Sequence, residues 1–328
     1  MRRREFIGLL VAIAVSPQTV LSQPAKKRPV IASLWFPSND APLSVRYLKQ
    51  FLTGMKELGY VEGRDFEMTN RFADFHAERL PALAAELVQR DPDVIIAPAT
   101  INAVALKQAT DKIPIIVAAL GDPELLGFTA NDARPTGNVT GITPYIKGLP
   151  AKQLELAREI VPRATRIGLL DDVTDPKAHP QRKEIEAAGR AMEIKIIPAE
   201  VRTSADLGPA YQVLSASGVE VVVVEQSSML LNARNQIAEI AAAKTLPTVY
   251  GYREHVEAGG LISYGVNLDW CFHRTAYYVD KILKGAKPPE LPLEFPTNIQ
   301  LLINLKTAKA LKLGIPPALL DRADEVIE

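Results

Sequence analysis

Residues Ala119 to Tyr145 read ALGDPELLGFTANDARPTGNVTGITPY. An apolar, β-rich run from Ile113 to Ala119 enters this stretch and stops at Gly121-Asp122-Pro123, so a buried strand delivers a carboxylate to its C-terminal edge. That edge is where open α/β sheets bind ligands. Arg134-Pro135-Thr136-Gly137-Asn138 is a turn, and Val139 to Thr143 is a short β-prone run broken by Gly141, suited to cross between lobes and swivel. The stretch closes one series of strands and helices and opens another, which makes it a bridge between two lobes.

The series before it begins with a strand at Val30 to Phe36, a helix from Leu43 to Leu58 closed by Gly59, and a strand at Phe66 to Phe72. In the helix from Ala77 to Arg90, Leu80, Leu83, Ala84, Leu87 and Val88 share one face, the pattern of a helix laid on a sheet. Val94 to Ala97 lacks alternation, as expected of a strand covered on both sides, and a helix runs from Thr100 to Thr110. Strand-helix repeats in this order imply a parallel sheet with right-handed crossovers. After the bridge the layout restarts, with helices at Ala151 to Ile160, Gln181 to Met192, Pro209 to Ser215 and Ala233 to Lys244. Between them lie strands at Arg166 to Leu170, Ile194 to Pro198, Val219 to Val224 and Thr248 to Tyr250. A strand at Leu261 to Tyr264, a helix from Asp269 to Lys284, the proline-rich connector Lys287 to Pro296 and a strand at Thr297 to Ile303 complete the chain before a helical end.

The 328 residues carry 38 basic and 38 acidic side chains, so no net field draws the protein to nucleic acid or to an anionic membrane. Hydrophobic residues at 47% and charged residues at 23% fit a soluble chain long enough for two cores. The single cysteine, Cys271, forms no internal disulfide and reads as a buried apolar side chain. At the start, Arg3-Arg4-Glu5-Phe6-Ile7, the apolar run Gly8 to Val15 and the small residues before Gln23 read as an export signal over residues 1–22, either twin-arginine or Sec. No cysteine follows that run to take a lipid, so a soluble periplasmic protein is expected.

Motifs for catalysis are missing. His76, His179, His255 and His273 have no helical metal spacing, and the chain has no nucleophile elbow, P-loop or dinucleotide glycine fingerprint. No enzyme activity, cofactor or metal is expected. Recognition groups do gather at strand ends. Trp35 and Phe36 end the first strand and either flank a planar ligand or pack beneath the next helix. Thr100 and Asn102 sit at a helix start, where they serve an anion, cap the helix, or both. Asp122 either caps a turn or accepts from a ligand ammonium or hydroxyl. From the other half come Tyr145, Asp171 with Asp172, Glu225, Gln226 and Tyr250, and Tyr264 ends the strand that follows.

Gly121-Asp122-Pro123, R-P-x-G-N-V-T-G at 134 to 141, N-L-K-T-A-K-A-L at 304 to 311 and I-P-P-A-L-L-D-R-A-D-E-V-I-E at 315 to 328 resemble the ABC-transporter substrate-binding proteins whose best known members bind tryptophan and other aromatic amino acids. The resemblance covers nearly the whole chain. It implies a periplasmic binding protein type I fold: two doubly wound parallel-sheet lobes joined by three crossovers. By that resemblance residues 29–142 with 252–287 form lobe 1, and 143–251 with 288–328 form lobe 2. It implies a monomeric receptor that closes on an aromatic amino acid or aromatic acid and docks on an ABC permease, with a periplasmic sensory module as the alternative. Members commonly have an Asn-Pro-type segment where this chain has Asp171-Asp172-Val173-Thr174, and Asp-Pro in place of Gln226-Ser227. The more acidic second lobe leads to the expectation of a ligand bearing a cationic or hydroxyl group.

Overall fold

The computed structural model describes residues 28–121, 123, 124, 126–129, 134–144 and 146–328. The export signal and two of the residues singled out above, Asp122 and Tyr145, lie outside the described residues.

Val30 to Trp35, an apolar β-branched run, forms β1 in the middle of the first sheet, where both faces are covered. Pro42 opens α1 (Pro42–Glu57), a good use of a residue without an N–H in a first helical turn. The chain continues through β2 (Glu67–Phe72), α2 (Leu80–Gln89), β3 (Val94–Ala97), α3 (Thr100–Ala109), β4 (Ile115–Val117) and β5 (Val139–Gly141). These strands make a five-stranded parallel sheet in the order β2-β1-β3-β4-β5. The apolar face of α2 buries Leu80, Ala84 and Leu87 against it, as the spacing required.

The second sheet gathers β6 (Arg166–Asp172), β7 (Lys195–Val201), β8 (Val221–Val224), β9 (Thr248–Tyr250), β10 (Ile262–Val266), β11 (Ile299–Asn304) and β12 (Glu325–Ile327), in the order β12-β11-β10-β9-β8-β6-β7. Its helices are α4 (Leu149–Ile160), α5 (Ala178–Ala191), α6 (Leu207–Ala216), α7 (Ser228–Asn232), α8 (Arg234–Ala243), α9 (Arg253–Glu257), α11 (Leu305–Ala310) and α12 (Pro317–Leu320). The remaining helix, α10 (Leu268–Leu283), packs on α1 of the first lobe. Each lobe has apolar clusters on both faces of its sheet.

Two expectations need correction. The strand expected at Leu261 to Tyr264 does not return to the first lobe: β10 pairs in parallel with β9 and antiparallel with β11, both in the second sheet. The crossing comes just after it, at Asn267, whose side chain caps α10 by accepting from the Trp270 N–H. Gly141 is also no swivel. It ends the edge strand of the first sheet at φ 137°, and a Cβ there would lie 2.1 Å from the Val117 carbonyl oxygen. The chain crosses only beyond it, at Ile142 to Pro144, alongside the proline-rich connector. Thr143 N–H donates to the Glu294 carbonyl at 2.8 Å, Glu294 N–H to that of Gly141 at 2.9 Å, and the Thr140 hydroxyl to that of Leu291 at 2.6 Å. Two of the three crossovers are thus zipped side by side.

Candidate functional site between the lobes

Because parallel strands end together, the C-terminal edges of the two sheets face each other, and a cavity of about 50 Å³ lies between them. The first lobe contributes Trp35, Phe36 and Pro37 after β1, Leu43, Ser44 and Tyr47 from α1, Pro98, Ala99 and Asn102 at the start of α3, Ala119 after β4, and Leu268 and Phe272 from α10. The second contributes Lys177, Ser227, Ser228, Leu231, Asn232 and Tyr252. Space of this size holds a few waters, less than a ring-bearing ligand fills.

One wall is a rack of rings. Trp35 lies parallel to Phe272 with centroids 5.8 Å apart, and Phe272 stacks on Tyr47 at 4.3 Å. Trp35 is further fixed by its Nε1–H, which donates to the Ser33 hydroxyl at 2.6 Å. The Tyr47 hydroxyl donates to Glu254 of the second lobe at 2.9 Å, and the neighbouring Arg46 spans the lobes by pairing with Glu257 at 2.7 Å and Asp269 at 2.5 Å. The ring that touches the cavity is therefore tied to a contact between lobes.

The other wall carries a buried cation. Lys177 lies just before α5; its ammonium donates to the Gln226 carbonyl at 2.7 Å and lies 3.7 Å from Asp175. Burial disfavours its charge, but Asp175, with Tyr252, Glu225 and Asp172, more than offsets this and lifts its pKa above the ordinary lysine value. Lys177 therefore stays an ammonium. Its stem packs so closely on Gly121 of the first lobe that a Cβ there would fall 2.3 Å from the Lys177 Cγ and Cδ. Gly121 N–H in turn donates to the Thr100 hydroxyl at 2.7 Å.

Of the residues singled out from the sequence, Trp35, Phe36 and Asn102 share this cavity. Asn102 accepts from the Ala99 N–H through its Oδ1 at 3.2 Å, while its Nδ2 is buried with no partner among the described residues. Seven others, Asp172 among them, lie off the wall. Thr100 is spent on Gly121. Asp171 is buried and held by Arg182 at 3.1 Å. Glu225 accepts from the Asp172 N–H at 2.8 Å and from Gln181 at 3.2 Å. Burial first, then the neighbouring Asp171 carboxyl, push Glu225 well above the usual carboxylate range. Gln226 donates to the Gly251 carbonyl at 3.2 Å. Tyr250 stacks on His255 inside the second lobe, and Tyr264 packs at the edge of the same lobe's core. The acidic cluster is thus internal to the second lobe, and what that lobe turns to the cavity is a lysine. The sequence reading passed over Lys177 and Tyr252, whose proximity to buried carboxylates and rings is set by distant segments; the Asp175-Pro176-Lys177 turn before a helix was the available signal.

Among the described residues no cluster of histidine, cysteine or acidic side chains could hold a metal ion, and no helix is long and apolar enough to cross a membrane. Cys271 is buried in the first-lobe core, and burial raises its thiol pKa.

Two α/β lobes, three crossovers and a cavity at facing sheet edges define a solute-binding protein of the periplasmic binding protein type I fold. The family model for "ABC transporter substrate binding protein" matches residues 38–327, and the chain belongs to that family, whose members bind substrates and are not enzymes. A "Tyrosine-binding protein" of Clostridioides difficile (strain R20291) is 23% identical over 263 residues, 80% of this chain and 75% of the relative. A conserved domain protein from Vibrio cholerae superposes with a TM-score of 0.85 at 27% identity, covering 92% of this chain and all (100%) of that structure. A domain from Streptococcus pneumoniae solved in complex with L-Trp gives a TM-score of 0.82 at 24% identity, covering 90% of this chain and 100% of its own.

Proposed function

We propose that this protein is the periplasmic receptor of an ABC importer and that its two lobes close on a small aromatic ligand, an aromatic amino acid or aromatic acid. The observation that carries the reading is the cavity itself, walled by the Trp35, Phe272 and Tyr47 stack on one lobe and by Tyr252 and Lys177 on the other. Relatives described as binding tyrosine and L-Trp support the same class of ligand. A ligand touching both walls favours the closed state by the free energy of those contacts, and the closed form is what a membrane permease would recognise. Each chain contains a whole cavity, so a monomer suffices. The export signal expected over residues 1–22 supports a periplasmic location.

A thermal-shift screen of the chain from Gln23 onward tests this, using aromatic amino acids, aromatic acids, branched-chain amino acids and sugars. At 100 times its dissociation constant, a ligand stabilises the fold by about 2.7 kcal/mol. An aromatic compound that raises the melting point and is recovered unchanged supports the proposal. A shift confined to sugars or branched-chain amino acids overturns the aromatic assignment.

A further inference from the structure

Helices α1 and α9 belong to different lobes, yet their side chains meet beside the cavity. In α9, Glu254 and Glu257 are three residues apart, so both turn toward the same neighbour. That neighbour is α1: the Tyr47 hydroxyl donates to Glu254 Oε1 at 2.9 Å, and Arg46 pairs with Glu257 at 2.7 Å. Arg46 also holds Asp269 at 2.5 Å, two residues past the crossing at Asn267, which ties the same contact to the start of α10. Apolar packing accompanies these bonds. Leu231 and Tyr252 of the second lobe lie in one buried cluster with Tyr47, Leu268 and Phe272.

The polar contacts are unequal in weight. The side chains of Arg46, Glu257 and Asp269 remain 29%, 33% and 22% exposed, and ion pairs so open to water contribute little. Glu254 is buried, its Oε2 has no partner among the described residues, and its Oε1 is held by Tyr47 of the other lobe. As the lobes shut, this carboxylate exchanges water for the Tyr47 hydroxyl. Without that hydroxyl, closure would leave the buried carboxylate without either bond, which is costly. We infer that Tyr47 and Glu254, aligned by Arg46 and Glu257, form a latch across the lobes that favours the shut conformation in the absence of ligand. Glu254 is a positioning residue in this latch: it acts on the cavity through Tyr47, whose ring stacks on Phe272 at 4.3 Å. A receptor built this way holds part of its closing free energy in its own side chains, and a ligand supplies the remainder. The latch concerns closure alone and does not depend on the aromatic assignment above.

The test uses the chain from Gln23 onward without ligand. A fluorophore pair is attached at Ala85→Cys on α2 and Gln212→Cys on α6, exposed positions in opposite lobes, while the buried Cys271 stays unlabelled. Single-molecule energy transfer then gives the ratio of shut to open molecules. Tyr47→Phe keeps the ring on Phe272 and removes only the hydroxyl; it should lower this ratio about tenfold or more, the weight of one hydrogen bond to a charged group. Arg46→Gln should lower it by less than about fivefold, as befits a partly exposed pair. In a Glu254→Leu background Tyr47→Phe should lower the ratio no further, because the acceptor is already gone. A loss of the same size in both backgrounds would show that the hydroxyl acts on the fold of its own lobe, and would overturn the latch. So would a parent that is open throughout, or a ratio that Tyr47→Phe leaves unchanged.

Discussion

Gly121 shows how one residue serves the meeting of two lobes. Its amide is held by Thr100 within the first lobe, while the Lys177 stem of the second lies where any side chain would be. Gly121→Ala is expected to obstruct closure, raising the dissociation constant of the bound ligand about tenfold or more with a smaller effect on the free protein. Calorimetry on the variant beside its melting curve checks this; an unchanged affinity would show that the lobes close without this contact. The same scale explains which candidates were legible. Trp35, Phe36 and Asn102 stand directly at a strand end or in the first turn of a helix, so a local pattern was enough to put them on the wall. Asp171 near the end of β6 and Glu225 just after β8 also stand at strand ends, yet they turn to each other and to Arg182 and Gln181. Sequence position names the edge of the sheet, whereas side-chain direction depends on which partner lies within reach.

At the scale of elements, the connection between lobes is a pair of strands held by backbone bonds, not a loose tether. β5 completes the first sheet beside β4, and the segment around Glu294 pairs with the chain as it leaves β5. Gly141 fits because its φ of 137° and its contact with the Val117 carbonyl exclude a side chain. Gly141→Ala should therefore cost stability, about 3 kcal/mol or more in urea unfolding, through strain and overpacking together. If Gly141 were a swivel instead, the variant would unfold at the parental midpoint and differ only in ligand kinetics. The strands and helices themselves were largely readable: apolar runs and the α2 stripe mark their places within a few residues. The short β12 was missed, since Glu325 to Ile327 is an ordinary polar-apolar ending until β11 offers it an edge. α7, five residues capped by the Ser227 hydroxyl accepting from Leu230 N–H, is likewise too short for periodicity to announce.

For the whole molecule, stability should respond to acid through His255. This ring is buried against Tyr250, with both nitrogens unpartnered among the described residues, and burial pushes its pKa down to about 3. Between about pH 6.5 and 3 the unfolded chain binds a proton that the folded chain does not, so stability falls as pH falls through that window. The loss from this group is about 2 kcal/mol between pH 7 and 5. Glu225 and Glu254, both raised chiefly by burial, act with the opposite sign: they bind protons in the folded state first and favour folding as pH drops. Comparing denaturation of the parent with His255→Phe, which keeps a ring on Tyr250, isolates the histidine. The variant should lose less stability on acidification, by about 2 kcal/mol over those two pH units; parallel curves would show that His255 is not responsible.

The order of strands and helices, the restart of the α/β layout after Ala119 to Tyr145 and the family motifs all follow from residues close together in the chain. Periodicity, turn chemistry and capping are local effects, so a linear sequence states them directly. The tertiary structure alone decided that β10 joins β9 and β11, that Lys177 and Tyr252 reach the cavity, and that the acidic cluster stands behind the wall. Those outcomes turn on hydrogen bonds and buried charges between segments far apart in the chain, whose energies exist only once the two lobes have been folded and brought together.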